Sequence, residues 1–265
     1  PYGYGSTAQD VMILSFLSAY SGVGPDKIET NIFPAIPLPN WRITYDGLTK
    51  IEFFKRYFKT VNINHTYRSS YNVNSFSNNV NYVEGGWAID SLMNYTPKKD
   101  INQVSITEQF GPLIGFDITW NNSLMTKIEM KRSRDIALTL SNNQITEIKS
   151  NEFVIGLGYR LKDVSFRIVS LGGGKGKTLK SDINFKVDFS IINNKTILRK
   201  IIENFNQISM GQQLIKLNSS ADYQISERFT VRLFFDKLIT NPFTSSQYPT
   251  SNTNGGISLR FTLGN

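Results

Sequence analysis

The sequence predicts an all-β fold, about ten to eleven antiparallel strands joined in chain order, with short helical loop pieces near the N-terminus. Three observations predict it. Apolar and polar residues alternate with period 2 in one run after another from Trp41 onward, the mark of strands with one apolar and one polar face. Clusters of Asn, Ser and Gly punctuate those runs where turns are needed. No run approaches the roughly 20 apolar residues of a spanning helix, and the mean hydropathy is −0.25. The chain divides into residues 1–40, an irregular loop and short-helix segment, and residues 41–265, the strands.

In residues 1–40, Pro25, Pro34, Pro37 and Pro39 break regular structure. Asp10 is placed to cap a short helix through Val11, Met12, Leu14, Phe16, Leu17 and Tyr20 that packs against a larger body. Trp41, Ile43 and Tyr45 make the first strand. Leu48 to Lys59 then carries Ile51, Phe54, Tyr57 and Phe58 at helical spacing among basic residues, a helical loop at the strand ends. Val61, Ile63, His65, Tyr67, Tyr71 and Val73 share one strand face, and Glu84 to Asn102 reads as a long loop.

Ile114, Phe116, Ile118 and Trp120 form the next apolar face, and Asn121-Asn122 turns the chain. Leu124, Ile128, Met130, Ile136, Leu138 and Leu140 share a parity that Arg132 and Arg134 interrupt. Facing mid-bilayer, each arginine would cost about 2–4 kcal/mol. They therefore call for a bulge near Ser133, a rim position or a covering neighbour. After a turn at Ser141 to Asn143, Phe153, Ile155, Leu157, Tyr159 and Leu161 oppose Val154, Gly156, Gly158 and Arg160. Lys162 to Thr178 reads as a mobile basic loop. Its glycines fail as a phosphate loop because Leu171 stands where the first glycine belongs and a strand follows instead of a helix.

The cleanest strand has Ile183, Phe185, Val187 and Phe189 on one face, with Lys180, Asp182, Lys186 and Asp188 on the other. Asn193-Asn194 reads as a turn into a separate strand, Thr196 to Phe205, and Asn206 to Gly211 as a longer loop. Ile215, Leu217, Ala221, Tyr223 and Ile225 alternate next, and Ser226-Glu227 turns into Phe229, Val231, Leu233 and Phe235, opposed by Arg232. A polar loop, Asn241 to Thr253, leads into the last strand.

The composition bounds the function. With no cysteine and one histidine there is no disulfide framework and no Cys-ligated metal site. His65 has no visible catalytic partner, and the paired carboxylates sit along polar strand faces where cross-strand ion pairing is the ordinary reading. The sequence thus indicates no enzyme, catalytic residue, metal or cofactor. A net charge of +8 points to an anionic neighbour, lipid or lipopolysaccharide, while no nucleic-acid recognition motif is present.

The last stretch, Asn254 to Leu263, reads N-G-G-I-S-L-R-F-T-L. Asn254, Gly256, Ile257, Leu259, Phe261 and Leu263 resemble the C-terminal signal strand of bacterial outer-membrane β-barrels. In that setting the apolar Ile183, Phe185, Val187, Phe189, Leu233 and Phe235 would face lipid or partner barrels. Lys180, Asp182, Lys186, Asp188, Arg232 and Arg260 would face a wet lumen. If the last strand ends in the periplasm, counting back puts the turns at Ser141 to Asn143, Asn193-Asn194 and Ser226-Glu227 on the periplasmic side, with Asn121-Asn122 as the exception. A porin or receptor-type transporter, and a soluble β-rich adhesin or binding module, alternate in the same way.

A longer series narrows this. I-P-L-P-N-W-R-I-T-Y-D-G-L (Ile36 to Leu48), H-T-Y-R-S-S-Y-N-V (His65 to Val73), P-L-I-G-F-D (Pro112 to Asp117), L-S-N-N-Q-I-T-E (Leu140 to Glu147), S-E-R-F-T-V-R-L-F-F-D (Ser226 to Asp236) and P-T-S-N-T-N-G-G-I-S-L-R-F-T-L (Pro249 to Leu263) resemble, in order, the C-terminal part of the SprA (Sov) family. The resemblance implies a fragment of a giant outer-membrane translocon of the type IX secretion system in Bacteroidota, also needed for gliding motility in some members. It implies a large transmembrane β-barrel whose remainder lies outside this chain, which starts at Pro1 as the tail of something longer or a processed product. The implied partners are a PorV-like shuttle barrel, a periplasmic plug protein and folded cargo bearing a C-terminal secretion domain.

Overall fold

A computed structural model describes residues 3–22, 24, 39–85, 88–168, 177–226, 229–245 and 247–262. Nine strands form one sheet in the order of the sequence, every neighbouring pair antiparallel. They are β1 (Trp41–Tyr45), β2 (Phe58–Asn78), β3 (Lys99–Trp120), β4 (Leu124–Thr139), β5 (Gln144–Ile168), β6 (Lys177–Lys200), β7 (Phe205–Ser226), β8 (Phe229–Pro242) and β9 (Thr250–Phe261). Among the described residues β1 hydrogen-bonds only to β2, and β9 only to β8, so the sheet is not closed.

Strand length is the first departure from ordinary sheets. β2, β3, β5, β6 and β7 run 21 to 25 residues, against a usual five or six. The strand count is nine rather than ten or eleven because Asn193-Asn194 does not turn the chain. Both residues sit inside β6, paired with Asn151 and Ser150 on one side and Gln213 and Gln212 on the other. The next connection is Ile201 to Asn204, and the expected loop from Asn206 to Gly211 belongs to β7. The loop from Lys162 also shortens, since β5 continues to Ile168, and its glycine-rich centre lies outside the described residues. The final loop contracts to residues 243–249.

These changes move the turns. The Asn121-Asn122 turn and the Ser226-Glu227 connection now fall at one end of the sheet, and Ser141 to Asn143 at the other. The expected gathering of Ser141 to Asn143, Asn193-Asn194 and Ser226-Glu227 at one end, with Asn121-Asn122 as the exception, therefore does not hold. Glu227 itself lies outside the described residues.

Helix α1 (Gln9–Ser21) begins with Ala8, not Asp10, at its cap position, so Asp10 falls in the first turn, where its charge suits the helix dipole. The predicted helix from Leu48 breaks into a 3-10 turn (Gly47–Lys50) and α2 (Glu52–Tyr57), with Phe58 already in β2. α1 lies on the sheet. Met12, Ile13 and Phe16 bury against Val104 and Ile106 of β3 and Ile136 and Leu138 of β4, with Ile101 completing the cluster. Gln9 fastens the first turn, its Nε2 donating to the Lys99 carbonyl at 2.9 Å while its Oε1 accepts from the Ile101 amide at 2.7 Å.

This is the best-sealed apolar patch in the described residues, with Ile13, Val104 and Leu138 fully buried. Truncating Leu138→Ala should cost about 2–5 kcal/mol. Limited proteolysis should then cut within residues 9–21 far faster than in the parent. Unchanged cleavage there would show that the helix is held by something else.

Candidate functional site: the two faces of the sheet

The register sorts every strand residue onto one of two faces. On the first face successive cross-strand rows read Leu124, Tyr159, Phe185, Ala221, Leu233, Ile257; then Thr126, Leu157, Val187, Ser219, Phe235, Gly255; then Ile128, Ile155, Phe189, Leu217, Lys237, Thr253. Ile183 joins them through its pairing with Leu161 and Tyr223, and Leu259 and Phe261 follow Ile257. The expected apolar set thus lies on one face. Leu263 lies outside the described residues.

This face is apolar and uncovered. Ile257, Leu259 and Phe261 are 68, 64 and 63 % exposed, and Met130, Phe153, Leu157, Phe185, Leu233 and Phe235 are each exposed too. Aromatic rings rim it at both ends. Phe58 packs on Trp120 at 4.5 Å and Phe229 lies 6.4 Å from Phe261 at one end, while Trp41, Tyr67 and Phe110 stack in sequence at 4.5 and 4.8 Å at the other. His65 belongs to the second rim: its Nδ1 meets the Leu113 carbonyl at 2.5 Å and its ring lies against Trp41 and Phe110.

The opposite face is polar and concave. An open trough of about 750 Å³ runs from β2 to β7, lined among others by Asn62, Asp117, Lys127, Glu129, Asp188 and Lys216. Ion pairs tile it: Lys127 to Glu129 at 2.9 Å, Lys131 to Glu129 and Glu152 at 3.5 Å each, Lys186 to Asp188 at 2.9 Å, and Arg160 to Asp182 at 2.6 Å. Arg232 binds Asp222 through both Nε and Nη2, at 2.5 and 3.0 Å. Lys180 reaches Asp163 at 3.2 Å, and Arg260, paired with Thr230, shares this face on the last strand. All six charged candidates therefore occupy one face, and most of them are matched within it. Gly156 keeps the trough passable for Asp188, because a Cβ there would lie 2.7 Å from the Asp188 Oδ1.

Beyond the second aromatic rim the first face changes character, and here the sequence reading missed a residue. Glu147 is fully buried, 0 % exposed, at the meeting of three cations: Arg134 Nε at 2.6 Å, Arg199 Nη2 at 2.6 Å and Lys149 Nζ at 3.0 Å. Its parity matches that of Ile145, so an acid on an apolar stripe was the available signal. Arg132 and Arg134 lie on this face one row and two rows beyond Met130. Ser133 itself is in register with Gln109 and Ser150, and β4 and β5 pair without a break from Leu124 to Thr139; the nearby irregularity is on β3, between Phe110 and Ile114, opposite Lys131.

Burial alone would raise the Glu147 carboxyl, but hydrogen bonds from Lys149, Arg199 and Arg134 outweigh it and hold the group down to about 2, from an ordinary 4.5. Among the described residues no cluster of His, Asp and Glu could hold a metal ion. The sequence matches no family model and no curated protein.

Glu147→Gln would leave three cations around a neutral amide. The cations are partly solvated, so the loss should be about 3 kcal/mol, the low end for a broken buried ion pair, read as a lower melting temperature. Because the folded carboxyl titrates below the unfolded one, its contribution is complete above pH 4.5 and is lost as pH falls through about 2. The stability gap between parent and variant should close over that window; a gap independent of pH would show that the charge is not its source.

Proposed function

We propose that this chain is part of the wall of a large outer-membrane β-barrel, and that the barrel is a protein-conducting channel of the type IX secretion kind. The observation that carries the membrane reading is the exposed apolar face bounded by aromatic rims, backed by a charged concave face. From Leu161 to Phe153 on β5 is eight residue steps (161 − 153). At ~3.3 Å per residue that is about 26 Å along the strand, or about 20 Å after a tilt of ~40°. Counting the aromatic rows brings the band near the roughly 25 Å of outer-membrane barrels. Two open sheet edges support the fragment reading, since lipid offers no partner for their N–H and C=O groups and the remaining barrel would supply them.

The secretion reading rests on the resemblance to the SprA family. In it the salt-bridged trough lines the passage and the apolar face meets lipid or the PorV-like shuttle barrel. Cargo proteins with a C-terminal secretion domain move along a surface most of whose charges are already paired with one another, so it offers few strong attachment points to a passing protein.

This chain carries no cysteine, so once any others in the full-length protein are replaced a single introduced one reports its own position. In the full-length protein in intact cells, Ser258→Cys should react with a water-soluble maleimide, and Ile257→Cys only after detergent. Bulky labelling at Asp188→Cys should slow export of a reporter carrying the secretion domain at least several-fold. Equal labelling of both β9 positions in intact membranes would sink the membrane reading, and undiminished export would sink the channel reading.

A further inference from the structure

We infer that a basic block on the apolar side of the sheet, starting level with the second aromatic rim and extending one row past it, binds the phosphate headgroup of an anionic membrane glycolipid of the lipid A type. The inference rests on the membrane reading above and adds a ligand site to it. Cross-strand pairing places Arg132, Asn151 and Asn193 in one row and Arg134, Lys149 and Lys195 in the next, all on the same face of three adjacent strands. With strands ~4.8 Å apart the block spans about 10 Å, the scale of one headgroup.

Like charges directly opposite one another on a sheet oppose folding. Arg134 faces Lys149, and Lys149 faces Lys195. Glu147 and Glu108 offset part of this, with Glu108 4.0 Å from Arg134. Five cations (Arg132, Arg134, Lys149, Lys195, Arg199) against two carboxylates leave a surplus of three positive charges (5 − 2). Arg132 and Lys195 are exposed, and among the described residues Lys195 Nζ rests on the Phe243 ring, 5.0 Å from its centre. Donors and charge thus point at an anion that the described residues do not provide.

Immediately next to the block, the row Met130, Phe153 and Ile191 begins the apolar face. An amphiphile with a phosphorylated head and acyl chains matches both halves: phosphate oxygens on guanidinium, ammonium and amide donors, and chains along Phe153 and Ile155. A soluble phosphate would use only the first half.

The test uses the full-length protein in phosphatidylcholine nanodiscs, to which lipid A or its dephosphorylated form is added at equal amounts, with retained lipid measured by native mass spectrometry. The parent should retain lipid A over the dephosphorylated form by about tenfold or more. The variant Arg132→Gln/Lys149→Gln/Lys195→Gln should lose that preference, and Lys59→Gln, at the opposite end of β2, should keep it. Equal retention of the two lipids by the parent, or an undiminished preference in the triple variant, overturns the site. Displacement of lipid A by millimolar inorganic phosphate would also overturn it, because the acyl contacts would then contribute nothing. A parent that enters nanodiscs but does not discriminate leaves the membrane reading standing; one that does not enter them overturns both.

Discussion

The register of the antiparallel ladder is the constraint on which everything else here depends. A strand has a side-chain period of two, so a slip of one residue would carry its apolar residues to the charged face and its charges to the apolar one. Single-residue irregularities do occur, between Phe58 and Thr60, Leu161 and Val164, Thr196 and Ile197, and Gln224 and Ser226. Each lies beyond an end of the apolar band. The breaks at Asn64/Tyr67 and Phe110/Ile114 keep parity on both strands. Across the band itself the two faces never mix.

With the faces kept apart, the charges follow two different rules. On the concave side charges of both signs sit close together, so most of them find a partner within the sheet, as with Arg160 and Asp182 or Arg232 and Asp222. Past the second rim they do not balance. Glu147 draws three cations inward and leaves Arg132 and Lys195, in the two adjoining rows, with charge to spare. Helix α1 shields the apolar patch beyond, so that the basic zone is bordered by one apolar surface that is sealed and another that is open.

Much of this was legible in the sequence, because alternation is a local signal. Ile183 to Phe189 against Lys180 to Asp188 states both faces of β6 without help from any other strand. What was not legible came from relations across strands. Asn193-Asn194 looks like a turn when β6 is read alone; beside Asn151 and Gln213 it is a polar row that crosses several strands, and the ladder runs straight through it. Arg132 and Arg134 signalled a change of environment, yet the partner that explains Arg134 lies on β5, and Arg199, which completes the cluster, on β6. The helix was readable as a helix, while the face it covers depends on β3 and β4, far along the chain.

The two open edges are unequal in a way that bears on mechanics. β1 is joined to the sheet by five residue pairs, and β9 by twelve. Backbone ladders resist separation in proportion to the number of bonds loaded together, so pulling outward on both margins of this sheet would detach the five-pair seam first. Its loss would leave the long β2 margin ready to be zipped to another strand, while the β8–β9 margin stayed intact.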